Sequence, residues 1–375
     1  MAGALDILKP LLFASRPRRA IPTLDGAYLP NDRLDALPVV GPDLVRPDDI
    51  AVGSDGTLVV STQNRLLRLS GPDLRDQAVV AAFDAPITAL AQLGDGRLAV
   101  GLNGRGLCIL RPDGTVEAAL ADLAGAPLRS VTAIAEDPAR GGVFFTVGSV
   151  RRDAEDWVWD LMERNSAGLL GYWRPDAGRA EVLLEGLPYP NGLHVEDGGG
   201  SLLFTQSWTH SLARHRIGAK GPRAVETVID NLPGYPARIA PARGGGHWLA
   251  IFAMRTQLIE LVLRETPFRQ EMMRTVDPEL WVRPSLRATG SYLEPLQGGG
   301  IKKLGIRKPW ALPRSYGLVV RLDADAEPVF SMHSRVDGHC HGITAARELG
   351  ERLIVVSKGD GRLLAYNLES AGGSA

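Results

Sequence analysis

One pattern recurs six times along this chain: a glycine-containing turn followed by a short strand of alternating or continuously apolar residues. The copies fall at residues 54–62, 94–102, 140–148, 198–206, 244–252 and 349–357. A second apolar run follows most copies, and two such runs around turn residues are typical of a β-hairpin. Self-similarity at roughly 40–50 residues is typical of propeller blades. The sequence therefore predicts an all-β, six-bladed β-propeller in which each blade is a four-stranded antiparallel sheet.

The sixth blade needs a strand from elsewhere in the chain. No further apolar run follows RLLAYNL at residues 362–368, whereas an apolar segment at residues 37–40 precedes the first copy. Pairing between these two segments closes the ring and protects the sheet edge. We therefore expect residues 1–34 to be an N-terminal lead-in and residues 35–370 to form the propeller.

One spacing in the repeat is much longer than the others, because residues 253–315 separate the fifth copy from the run YGLVVRLD. Apolar residues at near-helical intervals, among them Met254, Leu258 and Leu261, predict helix in the first part. A Pro/Gly-rich loop follows, and long loops in compact domains are commonly functional. We predict a helical and loop insertion between blades 5 and 6, which serves either as a lid or partner surface or as a structural cap.

Composition and charge exclude several classes of partner. A net charge of -1 leaves no basic field for nucleic acid, and no stretch approaches the roughly 20 apolar residues of a transmembrane helix. Asp6, Lys9 and Pro10 interrupt the first apolar run, so we interpret it as an amphipathic lead-in, with contact to a membrane surface left open, rather than a signal peptide. Cys108 and Cys340 are too few for a disulfide framework, so a cytoplasmic location is the default expectation. Oligomeric state is not indicated.

The motifs of several enzyme classes are absent from the sequence. The chain has no Gly-x-Ser-x-Gly nucleophile elbow, no Gly-x-x-x-x-Gly-Lys phosphate loop and no dinucleotide fingerprint after a first strand. Serine hydrolase, nucleotidase and dehydrogenase chemistry are therefore disfavoured, and a small-molecule substrate in the propeller axis is the expected partner.

Four segments carry a resemblance to a known family. They are LDGAYLPNDRLDALPVV, RPDDIAV, the stretch at residues 168–195 that includes Pro-Asn-Gly, and NLPGYPARIA at residues 231–240. With these segments the chain resembles the strictosidine synthase-like branch of the superfamily that also holds SMP-30, gluconolactonases and paraoxonases. The resemblance implies an axial tunnel that typically binds calcium and activities that include lactone and ester hydrolysis. The strictosidine synthase branch instead implies metal-free condensation of an amine with an aldehyde.

Residues that open the inner strands face the tunnel of a propeller and form the candidate site. They are Asp48, Thr88, Ser130, Asn191, Ala237–Arg238 and the region from His341 to Thr344. Calcium takes six to eight oxygen ligands, usually including carboxylates. By resemblance Asp48 and Asn191 stand at ligand positions, but Arg238 adds a permanent cation beside them. We expect an Asp48–Arg238 salt bridge, a degenerate calcium site and no favoured cofactor, with calcium as the open alternative.

Histidines supply the candidate proton carriers. His341, in the run DGHCHGIT, is the candidate general base because imidazole titrates near neutrality; a ring satisfied by backbone hydrogen bonds is the alternative. His339, Cys340 and His341 together also suggest a transition-metal site, although no acidic ligand is nearby in sequence. His194 is a candidate tunnel-lining residue, and Tyr235, beside the axial loops, is a candidate substrate contact.

Three functional hypotheses follow from these residues. In the first, the protein hydrolyses a small lactone or ester: Arg238 or a calcium ion polarises the carbonyl, His341 and Asp48 activate water, and Asn191 orients the substrate. In the second, it forms carbon–nitrogen or carbon–carbon bonds, although Thr344 stands where the resemblance implies a glutamate. In the third, it binds a small anion at Arg238 without catalysis.

Overall fold

The structure is a computed structural model that describes residues 20–53, 55–196, 198–219, 224–287, 302–303, 306–307 and 314–368. The first 19 residues of the predicted lead-in lie outside the described residues. So does most of the Pro/Gly-rich loop predicted in the insertion.

Six four-stranded antiparallel sheets form the blades. A short strand, β1 (Val39–Val40), precedes them. Blade 1 consists of β2 (Pro47–Val52), β3 (Leu58–Thr62), β4 (Arg65–Ser70) and β5 (Asp76–Ala82). Blade 2 consists of β6 (Ile87–Gln92), β7 (Leu98–Leu102), β8 (Gly106–Leu110) and β9 (Val116–Leu120). A small hairpin, β10 (Asp122–Leu123) and β11 (Ala126–Pro127), links it to the next blade.

The remaining blades follow the same order. Blade 3 consists of β12 (Val131–Glu136), β13 (Val143–Val147), β14 (Gly168–Arg174) and β15 (Arg179–Leu187). Blade 4 consists of β16 (Pro190–Glu196), β17 (Ser201–Gln206), β18 (Ser211–Arg216) and β19 (Val225–Ile229). Blade 5 consists of β20 (Gly234–Pro241), β21 (His247–Met254), β24 (Gly317–Leu322) and β25 (Pro328–Ser334), with a separate hairpin of β22 (Lys302–Lys303) and β23 (Ile306–Arg307) between. Blade 6 consists of β26 (Ile343–Leu349), β27 (Arg352–Ser357), β28 (Arg362–Asn367) and β1.

Apolar side chains fill the space between neighbouring blades. A separate buried cluster lies between each adjacent pair of blades, from blades 1 and 2 around to blades 6 and 1. Middle strands such as β7 and β8 are buried along their whole length, whereas the outer strand β5 is mostly exposed. Continuous apolar runs in the sequence therefore correspond to strands that are covered on both faces.

The N-terminal strand closes the ring, which confirms the prediction. In β1, Val39 pairs with Leu364 and Val40 with Leu363 of β28, in antiparallel register. The segment before β1 lies along β25 of blade 5, where Leu34 is fully buried and its N–H donates to the carbonyl of His333 at 3.0 Å. The start of the propeller therefore holds blades 5 and 6 together.

The predicted insertion lies inside blade 5 and not between blades 5 and 6. It connects β21 to β24, the second and third strands of that blade. An earlier helix, α1 (Trp157–Glu163), belongs to blade 3, and the described part of the insertion contains α2 (Gln257–Arg264) and α3 (Thr266–Thr275). The described residues also form 3₁₀ turns at Gly26–Tyr28, Ala154–Asp156, Pro175–Ala177 and Pro278–Leu280. The spacing of the repeats predicted where the extra residues lie in the chain. It did not predict that the strand after them, β24, belongs to blade 5.

Candidate functional site

Residues near the starts of the six inner strands converge on the propeller axis and line a cavity of about 100 Å³. Each blade contributes at least one of them: Asp48, Thr88, Thr132, Asn191, Arg238 and Thr344. Every inner strand has a register shift at this point, which falls between Pro47/Ile50, Ile87/Ala89, Val131/Ala133, Pro190/Gly192, Pro236/Ile239 and Ile343/Ala345. A β-bulge leaves a residue unpaired in the ladder and bends the strand. The bulges therefore free backbone carbonyls and side chains to face the axis.

Arg238 closes the floor of this cavity. Its Nη1 donates to the carbonyl oxygens of Asp48 at 3.0 Å and Thr344 at 3.3 Å. Its Nη2 donates to the Asp48 carboxylate at 2.7 Å and the Thr88 carbonyl at 2.5 Å, and Nε lies 2.9 Å from Asp49 Oδ2. These five oxygen atoms come from blades 1, 2 and 6, whereas Arg238 comes from blade 5. The guanidinium thus cross-links four blades at the axis. Its Nη1 and Nη2 groups are hydrogen-bonded to the protein, whereas Nε is buried beside Asp49 in an ion pair without a hydrogen bond of its own.

Asp48 accepts from a second cation as well. Lys358 is the first residue after β27. Its Nζ lies 2.5 Å from Asp48 Oδ1. Burial alone would raise the pKa of Asp48, but the charges of Lys358 and then Arg238 outweigh it and hold that pKa below its usual value. Asp48 is therefore an ionised carboxylate at neutral pH. The salt bridge expected between Asp48 and Arg238 is present.

A calcium ion does not fit this donor set. Calcium sites in proteins offer several oxygen ligands with carboxylates that balance the charge. At this axis both oxygens of Asp48 already accept from cations, and the nearby Asp49 contacts Arg238. The carbonyl oxygens of Asp48, Thr88 and Thr344 are also hydrogen-bonded to the guanidinium. A divalent ion would thus have to displace Arg238 before it could reach these oxygens.

Three polar groups on the cavity floor remain available to a ligand. Lys358 pairs with Asp48 and is 22% exposed at its side chain. The Asn191 side-chain amide lines the cavity and makes no hydrogen bond within the described residues. Thr88 Oγ1 is buried and likewise has no hydrogen-bond partner among them. An unpaired polar group in a closed site costs free energy that a ligand's oxygen or N–H recovers.

Aromatic side chains form the wall above this floor. Tyr189 and Trp208 line the cavity with ring centroids 4.3 Å apart, and Trp157 of α1 meets Phe252 edge-on at 5.5 Å. Trp208 is held in place because its Nε1 donates to the buried carboxylate of Asp160 in α1 at 2.8 Å. A pocket with an apolar wall and a few convergent polar groups is typical of small-molecule sites.

Five of the predicted site residues meet at the cavity, and four do not. Asp48, Thr88, Asn191, Arg238 and Thr344 line it, and the Thr344 hydroxyl donates to the Asp48 carbonyl at 2.6 Å. The other four are Ser130, His194, Tyr235 and His341.

Ser130 and Tyr235 are fully buried behind the aromatic wall: the Ser130 hydroxyl is 3.5 Å from the Tyr189 hydroxyl, and the Tyr235 ring packs edge-on against Trp208. His194 lines a separate opening formed by the other ends of the inner strands. His194 thus lines the tunnel at the mouth opposite the axial cavity, because it lies three residues further along β16 than Asn191.

His341 occupies a structural position. Its Nδ1 lies 2.9 Å from Ser315 Oγ, its Nε2 lies 2.7 Å from the carbonyl oxygen of Arg335, and the side chain is buried. Both ring nitrogens are therefore engaged outside the cavity. A role as general base in the axial pocket would require the ring to break one of these bonds and turn, so this placement favours the alternative of a histidine satisfied by the protein.

Sequence reasoning missed Lys358 and the tryptophans of the wall. Lys358 follows the second strand of its blade, at a position where blades 1 and 2 have Gln63 and Asn103, so only its charge distinguished it. Trp157 lies in a helix between β13 and β14. The unusually long gap between these strands was a signal that could have located it.

Fold and cavity together define a six-bladed β-propeller with an aromatic-walled pocket at its axis. A family model described as strictosidine synthase-like, N-terminal, matches residues 26–69. Protein STRICTOSIDINE SYNTHASE-LIKE 13 from Arabidopsis thaliana is 31% identical over 44% of this chain and 40% of its own length. Protein STRICTOSIDINE SYNTHASE-LIKE 4 from the same plant is 24% identical over 93% of this chain and 86% of its own. These matches show that the chain is similar to strictosidine synthase-like proteins, in agreement with the resemblance given by its sequence motifs.

Solved structures show the same fold in more distant proteins. A gluconolactonase from Xanthomonas campestris superposes with a TM-score of 0.57 at 15% identity, over 93% of this chain and 95% of its own. Regucalcin, a calcium-binding protein from Agrobacterium tumefaciens, superposes with a TM-score of 0.54 at 13% identity, over 86% and 90%. At these identities the likeness concerns the fold alone. Among the described residues, every helix is too short or too polar to cross a bilayer.

Proposed function

We propose that this protein is a metal-independent hydrolase of small lactones or esters, and that the reaction takes place in the axial pocket. One observation carries the proposal: an aromatic-walled cavity ends on an ionised carboxylate, Asp48, beside an ammonium group, Lys358, and an uncommitted amide, Asn191. The apolar wall suits the body of the substrate. The polar floor suits its carbonyl group.

Lys358 and Asn191 are the groups that hold the substrate carbonyl in this proposal. Each has N–H donors that no described residue uses, and donors aimed at a developing oxyanion lower the barrier to acyl transfer. Arg238, assigned this role from the sequence alone, is better suited to fixing the floor, because its Nη1 and Nη2 groups already donate to protein oxygens and its Nε is buried beside Asp49. Thr88 Oγ1 provides a further hydrogen bond to the substrate.

Asp48 is the proposed acceptor of the proton from water. Water adds to the carbonyl carbon as its proton passes to the carboxylate; the carbon–oxygen bond of the ester then breaks, and the leaving alkoxide takes up that proton. A carboxylate with a lowered pKa is a weak base. Turnover by this route is therefore slow but persists into acidic solution, until Asp48 becomes protonated.

The low basicity of Asp48 favours a second candidate function, in which the propeller binds a small carboxylate without turnover. Both carboxylate oxygens of Asp48 accept hydrogen bonds from cations, which makes the carboxylate a poorer acceptor of a proton from water. In this case the ammonium of Lys358 pairs with the ligand's carboxylate inside the aromatic wall. The alternative of carbon–nitrogen or carbon–carbon bond formation gains no support. The Thr344 hydroxyl donates to the Asp48 carbonyl, and a hydroxyl does not transfer protons as a carboxyl group does at neutral pH.

Turnover and binding measured on the same variants separate these candidates. Purified protein is tested against a panel of γ- and δ-lactones and aryl esters, with Lys358→Met and Asn191→Leu as pocket variants. Arg105→Met is the matched control because Arg105 is exposed and its ion pair with Asp84 lies at the surface. We expect hydrolysis that falls at least tenfold in both pocket variants and is unchanged in the control.

Binding without turnover is read from the fluorescence of the tryptophans in the wall, titrated with the corresponding free acids. Quenching that saturates in the wild type and is lost in Lys358→Met, in a protein that hydrolyses nothing on the panel, identifies the binding propeller. Hydrolysis that survives equally in both pocket variants contradicts the proposed site.

A further inference from the structure

A second cluster of chemically distinctive side chains lies away from the axis, where the N-terminal segment meets the loop before β26. Asp35, His339 and Cys340 each place one ligand-type atom there, and these three atoms lie within 4.8 Å of one another. His339 Nδ1 and Asp35 Oδ1 lie 3.3 Å apart. Carboxylate, imidazole and thiolate are the three ligand types that zinc takes in proteins.

The spacing is close to that of a tetrahedral metal site. Zinc binds nitrogen and oxygen at about 2.0–2.2 Å and sulfur at about 2.3 Å, so neighbouring ligand atoms lie roughly 3.3–3.8 Å apart. The His339–Asp35 distance already falls in this range. Because the His339 side chain is 56% exposed, its ring is free to turn towards an ion without disturbing the core.

Asp35 is held by the loop that carries the other two ligands. Its Oδ1 accepts from Ser334 Oγ at 2.8 Å and from the backbone N–H groups of His339 at 3.0 Å and Cys340 at 3.1 Å. These bonds fix the orientation of the Asp35 carboxylate beside the other two ligands. Hydrogen bonds to a ligating carboxylate are the usual support of a protein metal site.

A neighbouring carboxylate gives an independent sign that the cluster suits a cation. Asp360 Oδ2 is buried and has no hydrogen-bond partner within the described residues; the Arg362 Nε is 3.6 Å away. Asp360 also interacts electrostatically with both His339 and Asp35. A buried carboxylate oxygen without a partner is costly, and a divalent ion at the cluster would offset that cost directly or through a bound water.

We propose that Asp35, His339 and Cys340 form a site for a thiophilic divalent cation of the zinc class. An ion there ties the N-terminal segment to blade 6, because Asp35 precedes the closing strand β1 and His339 and Cys340 precede β26. The ligands are 304 and 305 residues apart in the chain, so the ion acts across the ring closure. This site is independent of the axial pocket and of the function proposed for it.

Cobalt(II) is the probe that tests the proposal, because it replaces zinc and reports its ligands by absorption. The full-length protein is stripped with chelator and titrated with cobalt chloride. We expect one equivalent to bind with ligand-field bands in the visible and a thiolate-to-cobalt charge-transfer band in the near ultraviolet, and zinc to abolish both. The melting temperature rises with bound metal because the ion binds only the folded state.

Two variants and a matched control complete the test. Cys340→Ser removes the charge-transfer band, and His339→Asn weakens cobalt binding at least tenfold; the latter is safe for folding because the side chain is exposed. Cys108→Ser is the control, since Cys108 is the other buried free cysteine and lies in blade 2. It keeps the full cobalt spectrum. The absence of a charge-transfer band in the wild type, or a band that persists in Cys340→Ser, overturns the proposal.

Discussion

Replacing Arg238 by methionine tests whether the guanidinium holds the propeller axis. The change leaves Asp48 with Lys358 as its remaining cation. It leaves Asp49 with the backbone N–H groups of Leu90 and Ile50 and with the more distant Arg347, whose Nη2 is 3.7 Å from Asp49 Oδ1. It also removes the hydrogen-bond donor of the Thr88 carbonyl. Removing one partner of a buried ion pair costs about 3–5 kcal/mol.

The expected fall in melting temperature follows from the size of the chain. At about 2.1 cal/mol/K per residue, unfolding 375 residues has an entropy of about 0.8 kcal/mol/K. A loss of about 3–5 kcal/mol therefore lowers the melting temperature by roughly 4–6 °C. Differential scanning calorimetry at neutral pH measures this directly.

The controls for this prediction separate charge from geometry. Arg238→Lys keeps the positive charge but has no planar fork to reach oxygens on three other blades, so it falls between wild type and Arg238→Met. Arg105→Met removes an exposed ion pair and shifts the melting temperature by no more than about 1 °C. If Arg238→Met melts within about 1 °C of the wild type, the guanidinium does not hold the axis and our reasoning is refuted.

The pH dependence of stability tests the contribution of Asp48 to the same ion-pair network. Its pKa in the folded protein is lower than in the unfolded chain because Lys358 and Arg238 outweigh burial. Its contribution to stability is therefore complete above the unfolded pKa of about 3.9 and is lost as the pH falls through the folded value. Asp48→Asn should be less stable at neutral pH and should lose less stability in that acidic range. Urea unfolding at a series of pH values measures both effects.

Three further predictions concern the walls and mouths of the tunnel. Gly192→Ala should destabilise the fold, because an added Cβ would lie 2.4 Å from the carbonyl oxygen of Ala237; calorimetry checks this. Asp160→Ala should broaden the tryptophan emission band and weaken ligand binding in the pocket, because the Trp208 indole N–H loses its hydrogen-bond acceptor. An unchanged emission spectrum would contradict this prediction. Burial lowers the pKa of His194 to about 4, so its imidazole should stay neutral down to that pH in an NMR titration. A normal value near 6.5 would mean that the second mouth is open to water.

Local patterns in the chain were enough to predict the architecture and to place Asp48 and Arg238 together at the axis. Glycine turns and apolar strands repeat locally, and each blade is made from neighbouring segments, so the number of blades and the ring closure could be predicted. Asp48 and Arg238 could be paired because both open inner strands, and all inner strands begin near the axis. A salt bridge between them followed from charge and position alone.

The tertiary structure decided which groups complete the sites. Lys358 lies 310 residues from Asp48 in the chain, and Asp35 lies 304 residues from His339, so both contacts depend on closing the ring. His341 lies before β26, and its hydrogen bonds to Ser315 and to the Arg335 carbonyl hold it away from the cavity. Local patterns encode strands, whereas contacts across the ring depend on the twist and register of all six blades.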